Sequence, residues 1–220
     1  MHKSLLACCL LLGAAAPAAH AQMRKGLLFG PKPRPGTYVL NSDRLARRTG
    51  RLQVYAHQLV VHDEQGHTTK YTPDDVYRAQ VGPVRYVSIP GFKNTSGLWT
   101  LRRSTKLFVE VVDSGQVSLY RYRYTTGGVS ETTTELETYL LRAAATDSVV
   151  IVSGSAYTGQ GRRFREALAP YIASRPDLLV LLNNGVIAVD DLPALLHALN
   201  TQSPFMAPPR PPSRPLEDGE

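Results

Sequence analysis

Three histidines fall close together, His57, His62 and His67, with Asp63 and Glu64 among them. Imidazole and carboxylate are ligands that zinc and copper take from proteins, so this is the one cluster in the chain with metal-ligating chemistry. Its spacing matches no helical or knuckle motif, and the residues surround a Glu64-Gln65-Gly66 turn where polar side chains belong without any ligand. No metal and no cofactor is therefore expected. A second stretch, LYRYRYTTGG from Leu119 to Gly128, interleaves tyrosines with arginines. Single-stranded nucleic acid is held by that combination, aromatic faces for bases and cations for phosphates, and a half-buried strand has the same composition. Arg121 and Arg123, together with Arg102 and Arg103, are the candidate residues for an anionic surface.

Other constellations fall short of chemistry. Gly154 and Gly159 have the glycine spacing of a phosphate-cradling loop, but Gln160-Gly161 stands where a lysine and a hydroxyl must reach the phosphates. Asp74-Asp75 follows Thr72-Pro73, and a capped single helical turn accounts for both carboxylates. No G-x-S-x-G elbow occurs, and His197 has no evident nucleophile partner, so no catalytic residue is assigned.

The elements that must position these residues change character along the chain. From 37 to 153, short runs rich in Val, Tyr, Thr and Leu alternate with turn signals. Strands are predicted at Tyr38–Leu40, Arg51–Tyr55, Leu59–Asp63, Thr68–Tyr71, Tyr77–Val81, Arg85–Ile89, Leu98–Arg102, Leu107–Val112, Gln116–Tyr124, Glu135–Arg142 and Val149–Val152. Residues 154–161 read as a flexible connector. In 162–202 the period becomes helical. Phe164, Ala167, Leu168, Tyr171 and Ile172 mark one face, with Pro170 expected to kink or shorten that helix. A second helix starts near Ser174 and stops at Gly185, and a third starts at Asp190-Asp191 with a Leu192, Leu195, Leu196, Leu199 stripe. The fold class is α+β: an antiparallel β-meander, sandwich or partly closed barrel, followed by a small C-terminal three-helix segment. Residues 22–36 read as a basic, Pro-rich linker and 203–220 as a disordered Pro-rich tail.

Register decides what the tyrosine stretch is. A two-residue Ser114-Gly115 turn pairs Val109 with Tyr120 and Leu107 with Tyr122, packs the tyrosines beside Leu107, Val109 and Val111, and leaves Arg121 diagonal to Glu110. A three-residue loop with a bulge slips the register by one and turns the tyrosines away. The two-residue loop is the commoner hairpin and favours the packed version.

The N-terminus begins with Lys3, an apolar run from about Leu5 to Ala16 and Ala19-His20-Ala21, the pattern of a signal peptide over residues 1–21. That apolar run is shorter than the roughly 20 residues a spanning helix needs, and no transmembrane segment is expected. The two cysteines, Cys8 and Cys9, both lie inside it, so the mature chain would be cysteine-free, without disulfides or thiolate metal sites. Cleavage also removes Lys3 from the 25 basic residues, leaving 24 against 18 acidic ones and a net charge of about +6.

The runs GRLQVYAHQLVVHDEQGHTTKYTPDDV, LFVEVVDSGQVSLYRY and FREALAPYIASRPDLLVLL resemble a family of exported proteins of Gram-negative bacteria that has no established biochemical function. The likeness spans most of Gly50 to Asn200 and is carried by structural residues. It implies export and this architecture, and it brings no catalytic residues.

The expected function is that of an exported, non-catalytic, envelope-associated binding or structural protein, periplasmic or extracellular, whose partner is an envelope protein or a cell-surface component. Nucleic acid is disfavoured as a partner, and oligomeric state is open. The alternatives are an exported hydrolase with a non-local active site, which requires a cleft with converging polar side chains, and a binder of anionic polymers through Arg-rich strands.

Overall fold

The computed structural model describes residues 31–92, 106–126, 134–146, 148–152 and 161–209. The expected signal peptide, most of the linker before Arg34, the strand at Leu98–Arg102, connector residues 154–160 and tail residues 210–220 lie outside the described residues.

Among the described residues, alternating apolar and polar residues build ten antiparallel strands: β1 (Arg34–Leu40), β2 (Asp43–Tyr55), β3 (Gln58–His62), β4 (Thr68–Tyr71), β5 (Val76–Val81), β6 (Val84–Pro90), β7 (Lys106–Asp113), β8 (Val117–Thr126), β9 (Thr134–Ala143) and β10 (Val150–Val152). They form one sheet, not closed into a barrel, in the order β10-β9-β8-β7-β6-β5-β1-β2-β3-β4. Three helices follow: α1 (Arg162–Ile172), α2 (Pro176–Asn183) and α3 (Leu192–Thr201). The α+β architecture expected from the switch in periodicity is the one present.

One connection dictates the sheet's shape. β1, β2 and β3 lie between β5 and β4, so a flat sheet would hold β4 and β5 about 19 Å apart at four interstrand spacings. The link between them is only Thr72–Asp75, and it is folded back by the Asp75 N–H donating to the Thr72 carbonyl at 3.1 Å. The sheet must curl to bring β4 round to β5. Leu40, Leu52, Leu59, Val61 and Val76 fill the inside of the curl. Gly36 and Gly50, directly opposite each other in β1 and β2, make it possible. A Cβ on Gly36 would strike the Gln80 carbonyl, and one on Gly50 would come within 2.9 Å of Val61.

The link is a single turn rather than a helix. The Asp75 carboxylate accepts from the Thr72 hydroxyl at 2.7 Å and from its N–H at 2.8 Å, which holds that carboxyl below the usual range. Asn41 of the β1–β2 turn binds the same link, its N–H reaching the Asp75 carbonyl and its amide the Asp74 carbonyl.

Two boundaries differ from expectation. The linker ends sooner than 36, because β1 begins at Arg34 and the preceding carbonyls are taken by β2 side chains, Pro31 by Gln53 and Pro33 by Arg51. β2 begins at Asp43 rather than Arg51. Leu40 pairs with Asp43 while Tyr38 pairs with Arg48, so the residues from Arg44 to Arg47 bulge out of the ladder, and a bulge carries no apolar alternation to read.

In the β7–β8 hairpin Val111 pairs with Tyr120 and Glu110 with Arg121, two residues beyond the expected register, and a bulge at Val112 intervenes before Asp113 meets Leu119. A shift of two preserves the faces. Tyr120 and Tyr122 pack with Leu107, Val109, Ile89 and Leu140 as expected, but Arg121 faces Glu110 directly instead of diagonally. The tip of the β2–β3 hairpin closes on this region, the Ala56 carbonyl accepting from the Phe108 N–H at 2.9 Å.

The helices cover the other face of β7 to β10. Phe164, Leu168, Ile172, Leu178, Leu182 and the stripe Leu192, Leu195, Leu196, Leu199 share one core with Val117, Leu119, Tyr139, Leu141 and Val152. α1 stops two residues past Pro170, and α2 stops at Gly185, whose φ is +69°. Before α3 a short 3-10 turn spans Val189–Asp191, and the Asp191 carboxylate accepts from the Ala188 N–H at 2.8 Å. α3 is locked on by Asn200. Its side-chain oxygen accepts from the Val117 N–H at 3.1 Å, and its amide donates to the Val117 carbonyl at 2.8 Å and to Asp113 at 3.0 Å. One side chain thus completes a strand end as a neighbouring backbone would. Asn200→Ala orphans both backbone groups of Val117 and is expected to lower stability by about 2 to 4 kcal/mol in urea unfolding. His57→Ala, at an exposed hairpin tip, serves as the control and stays within about 0.5 kcal/mol of wild type.

Candidate cationic groove

The residues singled out by chemistry separate in space. His62 is satisfied by neutral neighbours, Nε2 with Gln53 at 2.9 Å and Nδ1 with Thr68 at 3.0 Å. His67 pairs with Asp63 at 3.1 Å, and His57 sits at the exposed β2–β3 tip. Among the described residues no group of three or more potential metal ligands converges. His197 does gain an acid, Asp113, at 3.2 Å across 84 residues of sequence. Among the described residues no hydroxyl is hydrogen-bonded to its other ring nitrogen.

Arg121 and Arg123 share a face, and each has a carboxylate. Arg121 binds Glu110 with both Nε and Nη2, and the two side chains are only 26% and 13% exposed. That pairing raises the already high pKa of Arg121. Burial, then the adjacent Glu110, pushes the Tyr86 hydroxyl up, and burial, then Glu137, does the same to Tyr139. Arg123 lies 3.8 Å from Glu137. Arg102 and Arg103 lie outside the described residues.

Unmatched positive charge collects on the opposite face. Arg78 pairs with Val87 and Gln80 with Arg85, so Arg78 and Arg85 are diagonal neighbours on one face of β5 and β6. Arg85 stands beside Val111, Val111 beside Tyr120, and Arg142 of β9 opposite Ser118 completes the row. The bulge in β2 adds Arg44 and Arg47 beyond β1. These residues line a groove of about 580 Å3, with Lys106 at its side and no carboxylate among the described residues of its lining. Lys106 is paired with Asp74 at 2.8 Å. Among the described residues, Arg44, Arg47, Arg78, Arg85 and Arg142 form no ion pair.

The arginines are oriented by aromatic rings and neutral groups instead. Arg44 lies 4.6 Å from the centre of the Tyr77 ring, Arg78 lies 5.9 Å from it, and Arg142 lies 5.7 Å from that of Tyr120. Such contacts fix a guanidinium without neutralising it. The same sheet face turns apolar away from the groove, where Tyr122, Ile89, Leu107 and Leu140 are buried. A second, wider concavity of about 820 Å3 near Gly50 and His62 carries both signs of charge, Arg47 and Arg51 with Asp63 and Glu64.

These five arginines were not singled out from sequence, because outward arginines on strands read as solvated. A signal existed for two of them. Gly82-Pro83 is a two-residue connection, and the register it sets puts Arg85 opposite Gln80 and Arg78 diagonal to Arg85.

The chain matches no protein-family model, no curated protein and no solved structure.

The Glu110–Arg121 pair has a structural role that mutation separates from binding. Glu110→Gln leaves a half-buried guanidinium uncompensated and is expected to cost about 1 to 3 kcal/mol, whereas the double change Glu110→Leu with Arg121→Met recovers most of that loss. Urea unfolding of the single and double variants measures the coupling, and additive effects would contradict it.

Proposed function

We propose that this chain is an exported, envelope-associated binding protein without catalytic activity, and that its binding surface is the cationic groove for an anionic ligand. The observation that carries this reading is the set of five arginines, Arg44, Arg47, Arg78, Arg85 and Arg142, around one concavity whose described lining holds no carboxylate. By contrast, Arg121, Arg123, Arg162 and Arg175 each have an acidic partner. Like charges held together without compensation oppose folding, and an anion bound among them removes that opposition. The N-terminal export pattern and the resemblance to a family of exported proteins of Gram-negative bacteria support the location.

The groove, not net charge, is what the reading stakes. On a polyanion affinity column, the double variant Arg78→Glu with Arg85→Glu should elute at markedly lower salt than wild type. Arg162→Glu with Arg163→Glu changes the net charge equally on the exposed side of α1 and should elute close to wild type. Equal shifts from both variants would remove the groove as the binding surface.

A further inference from the structure

We propose that the ligand of this groove is an extended acidic polysaccharide, bearing carboxylate or sulfate groups, laid across the strands; this rests on the groove being the anion-binding surface. The first observation is the spread of the cations. From β1 through β5, β6, β7 and β8 to β9 the groove crosses five interstrand spacings, about 24 Å. Arg78 and Arg85 lie on adjacent strands, Arg142 lies three strands further on, and the bulge arginines stand at the far end. A compact anion is held by donors that converge on one point, whereas these are distributed along a line, as a repeating charge requires.

The second observation concerns the aromatic rings. Nucleic-acid bases bind to open π-faces. Tyr120 is 3% exposed, and Arg142 lies over it. Tyr77 is more open, but two guanidinium groups approach its ring, those of Arg44 and Arg78. The groove therefore offers charge without a stacking platform. The third observation is the neutral lining between the cations, Thr37, Asn41, Gln80, Ser114 and Ser118, whose hydroxyl and amide groups suit the hydroxyls of sugar rings. Arginine forks, in turn, match carboxylate and sulfate oxygens in pairs.

Calorimetric titration of the full chain tests this with size-graded oligogalacturonates, heparin-derived oligosaccharides, oligothymidylates of matched charge and inorganic phosphate. Affinity for one or both acidic glycans should rise with length and level off once the oligomer spans about 24 Å. The two glycan series separate carboxylate from sulfate recognition. Arg85→Ala and Arg142→Ala should each weaken binding of the long glycan about tenfold, with unchanged circular dichroism. Tighter binding of oligothymidylate than of either glycan would overturn the inference in favour of nucleic acid. Affinity independent of length, with full competition by phosphate, would overturn it in favour of a discrete anion. Either outcome leaves the groove as an anion site. Absence of binding by every probe would remove both the inference and the functional reading beneath it.

Discussion

A four-residue link that must join strands separated by three others is the constraint on which this structure depends. Thr72–Asp75 cannot reach across a flat sheet, so β1 to β5 curl, and the curl determines what each face becomes. Its inside is filled by Leu40, Leu52, Leu59 and Val61. Its outside turns Arg78, Arg85 and the β2 bulge toward a common groove. The hydrogen bonds from Asn41 to the link's carbonyls hold the root of that bulge against the turn, so the geometry of the curl and the position of Arg44 are coupled.

The sheet solves a second problem on its other face, where two apolar clusters meet. The curl core and the helix-covered core lie on the same side, and between them runs a row of paired residues: Tyr38, Ala79, Tyr86, Glu110, Arg121 and Tyr139. The Glu110–Arg121 ion pair sits in the middle of this row, sheltered by two tyrosines whose hydroxyls stay protonated. A paired charge at this seam costs little stability and disfavours a slipped register, since a one-residue shift of either strand would put its charge on the apolar opposite face, away from its partner. The same pairing takes Arg121 out of reach of ligands, which explains why the arginine-rich strand is not where the free charge lies.

What was legible in the sequence follows from how local the information was. The leucine stripe of α3, the left-handed stop at Gly185 and the tyrosine face of β8 are set by neighbours within a few residues, and each is found as read. The register of β7–β8 was off by two because a bulge at Val112 leaves no mark in composition. The start of β1 was hidden by prolines whose carbonyls are satisfied from β2, and the bulge of β2 by polar residues that alternate with nothing. The groove was least legible. Its arginines come from β2, β5, β6 and β9, and only the strand order, with β1 inserted between β5 and β2, brings them to one face.

Hydrogen exchange of the full chain with and without heparin tests the central claim most directly, because it reads the surface covered. The account predicts slowed exchange in the β2 bulge, from Asn41 to Arg47, and around the β5–β6 turn from Arg78 to Arg85. Slowing confined to the helices between 162 and 201, with the bulge and the β5–β6 turn unchanged, would contradict it.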